Sequence, residues 1–149
     1  MKKFVFSLQK LLDIREAKET EVKHELMKVL SVQNKERMLQ EDLKNKITKY
    51  ESEYSGKLRK GICSPEEAML IMRYADTARN AIVEAQRRID DMQPVVDEVR
   101  ARLVIASREK KIVEKLKERK FEEYMYEFNR TTAKENDDMN QKLYHRKLM

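Results

Sequence analysis

Catalytic chemistry would have to come from very few side chains in this sequence. It holds one cysteine, Cys63, and two histidines, His24 and His145. A nucleophile needs a base within hydrogen-bond reach, and a metal site needs Cys or His at close, paired spacing. Cys63 has no flanking histidine, the two histidines stand far apart in the chain, and a lone thiol excludes an intramolecular disulfide. With only Gly56 and Gly61 available, there is no Gly-rich phosphate loop and no Gly-x-Ser-x-Gly elbow. Carboxylates abound, but acid–base work needs a cleft that perturbs their pKa values, and nothing in the composition promises one. An enzyme, a bound cofactor and a metal are not expected.

Two groups of residues suit binding instead. Arg108, Lys110, Lys111, Lys115, Lys117, Arg119 and Lys120 crowd one short window, interleaved with Glu109, Glu114 and Glu118. Such a cluster is either a solvated helix face or a contact with an acidic ring, channel or headgroup surface. Tyr50, Tyr54 and Tyr74 form the second group; tyrosine fills a seam well and is also favoured at protein interfaces. The net charge is +6, from 33 basic and 27 acidic residues mixed along the length. A dedicated nucleic-acid binder would show a one-signed stripe, so no nucleic-acid partner is expected.

The elements that carry these groups follow from the punctuation. Charged residues make up 40% of the chain, with two glycines, two prolines and no tryptophan. Both glycines and Pro65 fall in one stretch, so there is one clear turn, and the rest reads as long helix. The expected fold is all-α: a long two-helix antiparallel coiled-coil hairpin with a C-terminal helical overhang, one domain over 1–149. The first helix is expected over about 5–60, the turn over 61–64 and the second helix over about 65–143. In the first helix the apolar seam reads Leu8, Leu11 or Leu12, Val22, Leu26, Val29, Val32, Leu39, Leu43, Ile47, Tyr50, Tyr54 and Leu58, with interruptions at Glu36 and around Arg15 to Lys18. The second helix has a cleaner seam, Ala78, Ile82, Ala85, Ile89, Met92, Val96, Val99, Leu103 and Ala106, in alternating steps of four and three. Pro94 lies inside it, and because the seam keeps phase on both sides a kink rather than a break is expected. The turn is well marked: Gly61 suits a left-handed helix end, Ser64 an N-cap, Pro65 a first helical position and Glu67 a capping box.

A hairpin centred near residue 62 sets Phe4 opposite roughly residue 120 and Tyr74 opposite roughly residue 50, since paired helices advance by equal rise. Everything after about Lys120 is then expected to lack a partner in its own chain, although it carries Phe121, Tyr124, Tyr126, Phe128, Leu143 and Tyr144. An unpaired helix with aromatic residues is frayed or waits for a partner. No stretch approaches the roughly 20 apolar residues that span a bilayer, and the N-terminus lacks the sustained apolar run of a signal peptide. A cytoplasmic protein is expected.

The order of several motifs resembles the FliJ family of small flagellar type III export proteins. The opening Phe4-Val5-Phe6-Ser7-Leu8-Gln9-Lys10-Leu11-Leu12-Asp13-Ile14-Arg15-Glu16 is similar to that family's Phe-x-Phe-x-Leu-x-x-Leu-Leu-x-x-Arg-Glu signature. Tyr50-x-x-x-Tyr54, Gly61-Ile62 and Thr77-x-x-x-Ala81-Ile82 resemble its hairpin region. Glu114-Lys115-Leu116-Lys117-Glu118-Arg119-Lys120, then Tyr124, then Asp137-Asp138 before a basic tail, resemble its C-terminal pattern. The resemblance implies a non-enzymatic stalk and adaptor, similar to the gamma subunit of rotary ATPases, peripheral at the inner face of the cell membrane through protein contacts. Implied partners are the hexameric export ATPase (FliI-like), the export gate protein (FlhA-like) and export chaperones. Carried over by position, the gate contact would include Ile47, Tyr50, Tyr54, Tyr74, Ala78 and Ala81. The ATPase-pore contact would include Lys2, Lys3, Lys10, Arg15, Arg119, Lys120 and Tyr124. A self-associating structural coiled coil and the equivalent injectisome stalk are the alternatives.

Overall fold

The computed structural model describes residues 2–149; Met1 lies outside the described residues. Two helices account for nearly all of it, α1 (Gln9–Lys60) and α2 (Pro65–Leu148), packed against each other as a hairpin. Contacts divide the chain into two compact units, a terminal unit (Met1–Glu21 with Val104–Met149) and a hairpin unit (Val22–Leu103).

In the hairpin unit the turn is built as its residue types dictate. Gly61 adopts φ 69°, and the amides of Gly61 and Ile62 donate to the carbonyls of Leu58 and Lys57 at 3.1 Å each. That pair of bonds is a Schellman motif, and it satisfies carbonyls that a helix end otherwise leaves orphaned. Ser64 caps α2: its Oγ accepts from the Glu67 amide at 3.1 Å, and its carbonyl accepts from Ala68 at 3.1 Å. The Glu67 carboxylate does not close a capping box; it reaches Lys57 Nζ at 3.3 Å and ties the two helix ends together. Replacing Gly61 by alanine is expected to cost about 1 kcal/mol, because only the left-handed backbone resists a Cβ that would meet nothing within 4 Å. Gly56→Ala, inside α1 and equally open, is expected to stabilise by about 0.5–1 kcal/mol. Chemical denaturation of the two variants checks both signs.

The α2 seam follows the sequence reading: Ala78, Ala85, Ile89, Val96, Val99 and Ala106 are buried, and Ile82, Met92 and Leu103 half-buried. α2 runs through Pro94 without a break. The α1 seam differs. Val32 and Leu39 lie out of it, and the positions that face α2 are Gln33 and Gln40, at 1% and 8% exposure. The heptad row is Leu26, Gln33, Gln40, Ile47 and Tyr54, so the ladder keeps its period while changing chemistry. A hydrophobic scan skips one residue to find Val32 and Leu39. Each buried glutamine instead donates Nε2 to a main-chain carbonyl and a glutamine of α2: Gln33 to Ile89 (3.3 Å) and Gln93 (3.0 Å), Gln40 to Ile82 (3.0 Å) and Gln86 (3.1 Å). The interruption at Glu36 is likewise filled, by Arg88 at 3.0 Å.

In the terminal unit the chain does not begin as helix. α1 starts at Gln9, whose amide donates to the Phe6 carbonyl at 3.1 Å across a turn at Ser7 and Leu8, and residues 2–6 are non-helical. Burial alternates along Phe4, Val5 and Phe6 with the period of two that side chains follow outside a helix. Val5 faces water while Phe6 is buried with Leu12 and Val113, and Phe4, Leu11 and Leu116 pack around them. At its other end α2 continues to Leu148, beyond the expected 143, with His145, Arg146 and Lys147 in a last turn where cations meet the helix dipole favourably.

Candidate protein-interaction surfaces

The residues singled out for an ATPase contact all fall in the terminal unit, and the structure treats them differently. Lys2, Lys3, Lys10, Arg119 and Lys120 are exposed, Lys120 within 3.2 Å of Glu123. Arg15 is not an open cation: it is half-buried and bonded to Glu109 of α2. Tyr124 is half-buried too. Its hydroxyl donates to the Lys2 carbonyl at 2.8 Å, and its ring lies 5.4 Å from Phe4 and 6.1 Å from Phe128. Phe121 meets Phe4 edge-on at 5.2 Å. Phe4 thus falls opposite the expected level, but the non-helical segment before α1 carries the pairing past Lys120. The expectation that Phe121 and Tyr124 lack a partner is corrected: both meet the N-terminal segment, and Phe128 stacks on Tyr124 of its own helix. After Phe128 the side chains of α2 are almost all exposed, among them Met139, Leu143 and Tyr144.

The basic cluster also separates. Lys117 donates to Gln9 Oε1 at 2.8 Å. Lys110 binds Glu19, itself buried, at 3.1 Å and Glu114 at 3.6 Å. Arg108, Lys111, Lys115, Arg119 and Lys120 remain on the surface. The Lys110 ammonium is held above its ordinary value of 10.5, chiefly by its hydrogen bond to Glu19 and further by the charge of Glu114, against an opposing effect of burial. A pKa raised on folding contributes stability that is complete below the unfolded value and disappears as pH climbs through the folded one. The difference in melting temperature between the native chain and Lys110→Met is therefore expected to stay constant between about pH 7 and 9. It should shrink above 10.5. Melts followed by circular dichroism across that range check it.

In the hairpin unit, Tyr50 and Tyr74 meet edge-on with ring centroids 4.9 Å apart, at the level the register sets. With Leu70 and Ile71 they line a shallow apolar groove of about 210 Å³. Tyr54, in the seam row of α1, and Ala81 are half-buried, whereas Ile47 and Ala78 are buried in the seam. Nearby Lys46 is held above its ordinary pKa, first by its hydrogen bond to Asp42 and then by that carboxylate's charge. Sequence reasoning overlooked Phe4 as the anchor of an aromatic cluster, although the Phe4-Val5-Phe6 alternation signals a non-helical segment. Leu70 and Ile71 were missed because they lie one turn from the capped helix start, where seam and surface are hard to tell apart.

Two helices packed on each other as a hairpin, with paired tyrosines in one unit and lysines beside an aromatic cluster in the other, define a two-helix coiled-coil protein. Among the described residues, no three Cys, His, Asp or Glu side chains converge to hold a metal, and no helix is long and apolar enough to cross a membrane. The family model for the flagellar FliJ protein matches residues 4–149, and the chain belongs to the FliJ family. It is accordingly a component of the flagellar export apparatus. No curated protein and no solved structure matches the chain.

Proposed function

We propose that this chain is the non-catalytic stalk and adaptor of the export apparatus, binding the export ATPase hexamer through its terminal unit and the export gate through its hairpin unit. The observation that carries the reading is the stretch of α2 after Phe128: helical, exposed around its circumference, and continuous with the helix that Phe4 and Lys2 clamp. A helix that leaves its partner while keeping apolar side chains in water is suited to insertion into another protein. Lys2, Lys3, Lys10, Arg119 and Lys120 supply charge around its base, and Arg15 and Tyr124 hold the terminal segment in place behind them. Tyr50, Tyr54, Tyr74 and Ala81 form the gate surface, with Ile47 and Ala78 buried in the seam, and export chaperones are further partners.

The mechanism is differential contact. A two-helix insert cannot touch six identical subunits equally, so it stabilises some conformations of the ring over others, which is the thermodynamic condition for coupling. Mixing the purified chain with the export ATPase is expected to give co-elution and faster ATP hydrolysis. An unchanged rate with no co-elution sinks the reading.

A further inference from the structure

One side of the hairpin unit carries apolar residues where a two-helix coiled coil normally places charge. Antiparallel helices set one flanking row of α1 beside one flanking row of α2, and such rows usually hold Glu and Lys. At one level this is so: Glu25 of α1 bonds Arg102 of α2. One heptad further, the same rows present Val32 and Val95, 50% and 47% exposed. With Val29, Met92 and the stem of Lys28 they line an open apolar groove of about 270 Å³. Leu39, one heptad beyond Val32, extends the strip at 43% exposure.

The edges of this face are charged and opposite in sign. On the α1 edge stand Lys28 and Lys35, a heptad apart; on the α2 edge stand Asp91 and Glu98, also a heptad apart. All four are exposed and, among the described residues, none of them has an ion-pair partner in its own chain. Their levels match. Gln33 meets Gln93; five residues back along α1 and five forward along α2 bring Lys28 level with Glu98. Two residues forward and two back bring Lys35 level with Asp91.

We propose that this face docks a second copy of the chain, related by a two-fold axis parallel to the helices, to form a four-helix interface. That axis lays α1 of one copy over α2 of its partner at an unchanged level. Val32 then stacks on the partner's Val95, and Val95 on the partner's Val32. Lys28 meets the partner's Glu98 and Lys35 the partner's Asp91, each twice by symmetry, as an isologous contact requires. A two-fold axis across the helices would lay α1 on the partner's α1 running the other way, with Lys28 against the partner's Lys35, so charge selects the first arrangement. The inference is independent of the export reading, because none of these residues belongs to the proposed ATPase or gate contacts.

Within one chain the two charged edges lie on opposite sides of the face, so a rescue between them can arise only across copies. Sedimentation velocity of the native full-length chain is expected to show mass rising with concentration from 17.9 kDa toward twice that value. Lys28→Glu with Lys35→Glu, and separately Asp91→Lys with Glu98→Lys, are each expected to weaken association on the order of 100-fold or more. Both should keep native helicity, since the exchanged side chains are exposed. An equimolar mixture of the two reversed variants is expected to regain the dimer, because each then meets an opposite charge at every edge. A native chain that stays at 17.9 kDa throughout overturns the proposal, as does a dimer indifferent to both reversals or a mixture that fails to recover.

Discussion

Deleting residues 129–149 is expected to leave the helix pair folded and to abolish stimulation of the export ATPase. The stretch removed makes little packing with the rest of its unit: its side chains are almost all exposed, and the aromatic contacts to the N-terminal segment are made by Phe121 and Tyr124, before it. A helix without tertiary contacts adds little stability of its own. The melting temperature of that truncation should therefore match the native chain within error. Deleting from Phe121 onward is a different experiment. It removes Phe121, Tyr124 and Phe128 together, leaving Phe4 without either ring contact and the Lys2 carbonyl without its hydroxyl donor. Losing that partly buried aromatic cluster should cost on the order of 2–3 kcal/mol and fray the N-terminal segment. Both truncations should fail to accelerate ATP hydrolysis, but only the longer one should melt early. If the 129–149 deletion stimulates as well as the native chain, the uncovered helix is not the ATPase contact, and the functional reading loses the observation it stands on.

The contrast between those truncations marks where the sequence was readable. Signals that act over a few residues came through. Gly61, Ser64 and Pro65 each have one local reason to occur, and the turn is built as those reasons require. The register followed from the turn, which is why Tyr50 lies against Tyr74 and Phe4 against Phe121. The α2 seam was readable because its buried residues are all aliphatic. Two things were not. A seam found by hydrophobicity cannot include Gln33 and Gln40, whose place inside depends on acceptors supplied by the opposite helix. Nor could the capping of Tyr124 by the Lys2 carbonyl be inferred, since a main-chain acceptor leaves no mark on residue identity. The cationic window shows the same limit: Lys110 and Lys117 look like their neighbours in sequence, yet they point inward to Glu19 and Gln9.

Gln33→Ala is expected to destabilise the hairpin unit by about 2–4 kcal/mol. The side chain is 1% exposed, so truncation leaves a cavity as well as an unmatched acceptor on Gln93. The bond is one of a chain, for Gln93 Nε2 in turn donates to Asp97 at 2.9 Å. One heptad along, the same sequence of contacts recurs as Gln40, Gln86 and Asp90. Replacing both Gln33 and Gln40 by leucine should behave oppositely. Volume is kept, Gln86 and Gln93 can turn to water, and apolar contact replaces the desolvated amides, so the melting temperature should hold or rise. What is lost is discrimination. With both glutamines present, sliding α1 by one heptad would set Gln33 against the partners of Gln40 but bring Gln40 against Ala75 and Arg79, where a main-chain carbonyl remains but a guanidinium, which cannot accept, stands in place of the Gln86 amide oxygen. With leucine at both positions the shifted and native alignments differ far less, and buried polar residues are known to set register in helical pairs at some cost in stability. Amide NMR spectra should then show more than one set of signals for residues 22–103 in the double leucine variant and a single set in the native chain. A single, sharp set in the leucine variant would mean that the turn and the aliphatic seam of α2 suffice to fix register, and that the glutamines contribute packing alone.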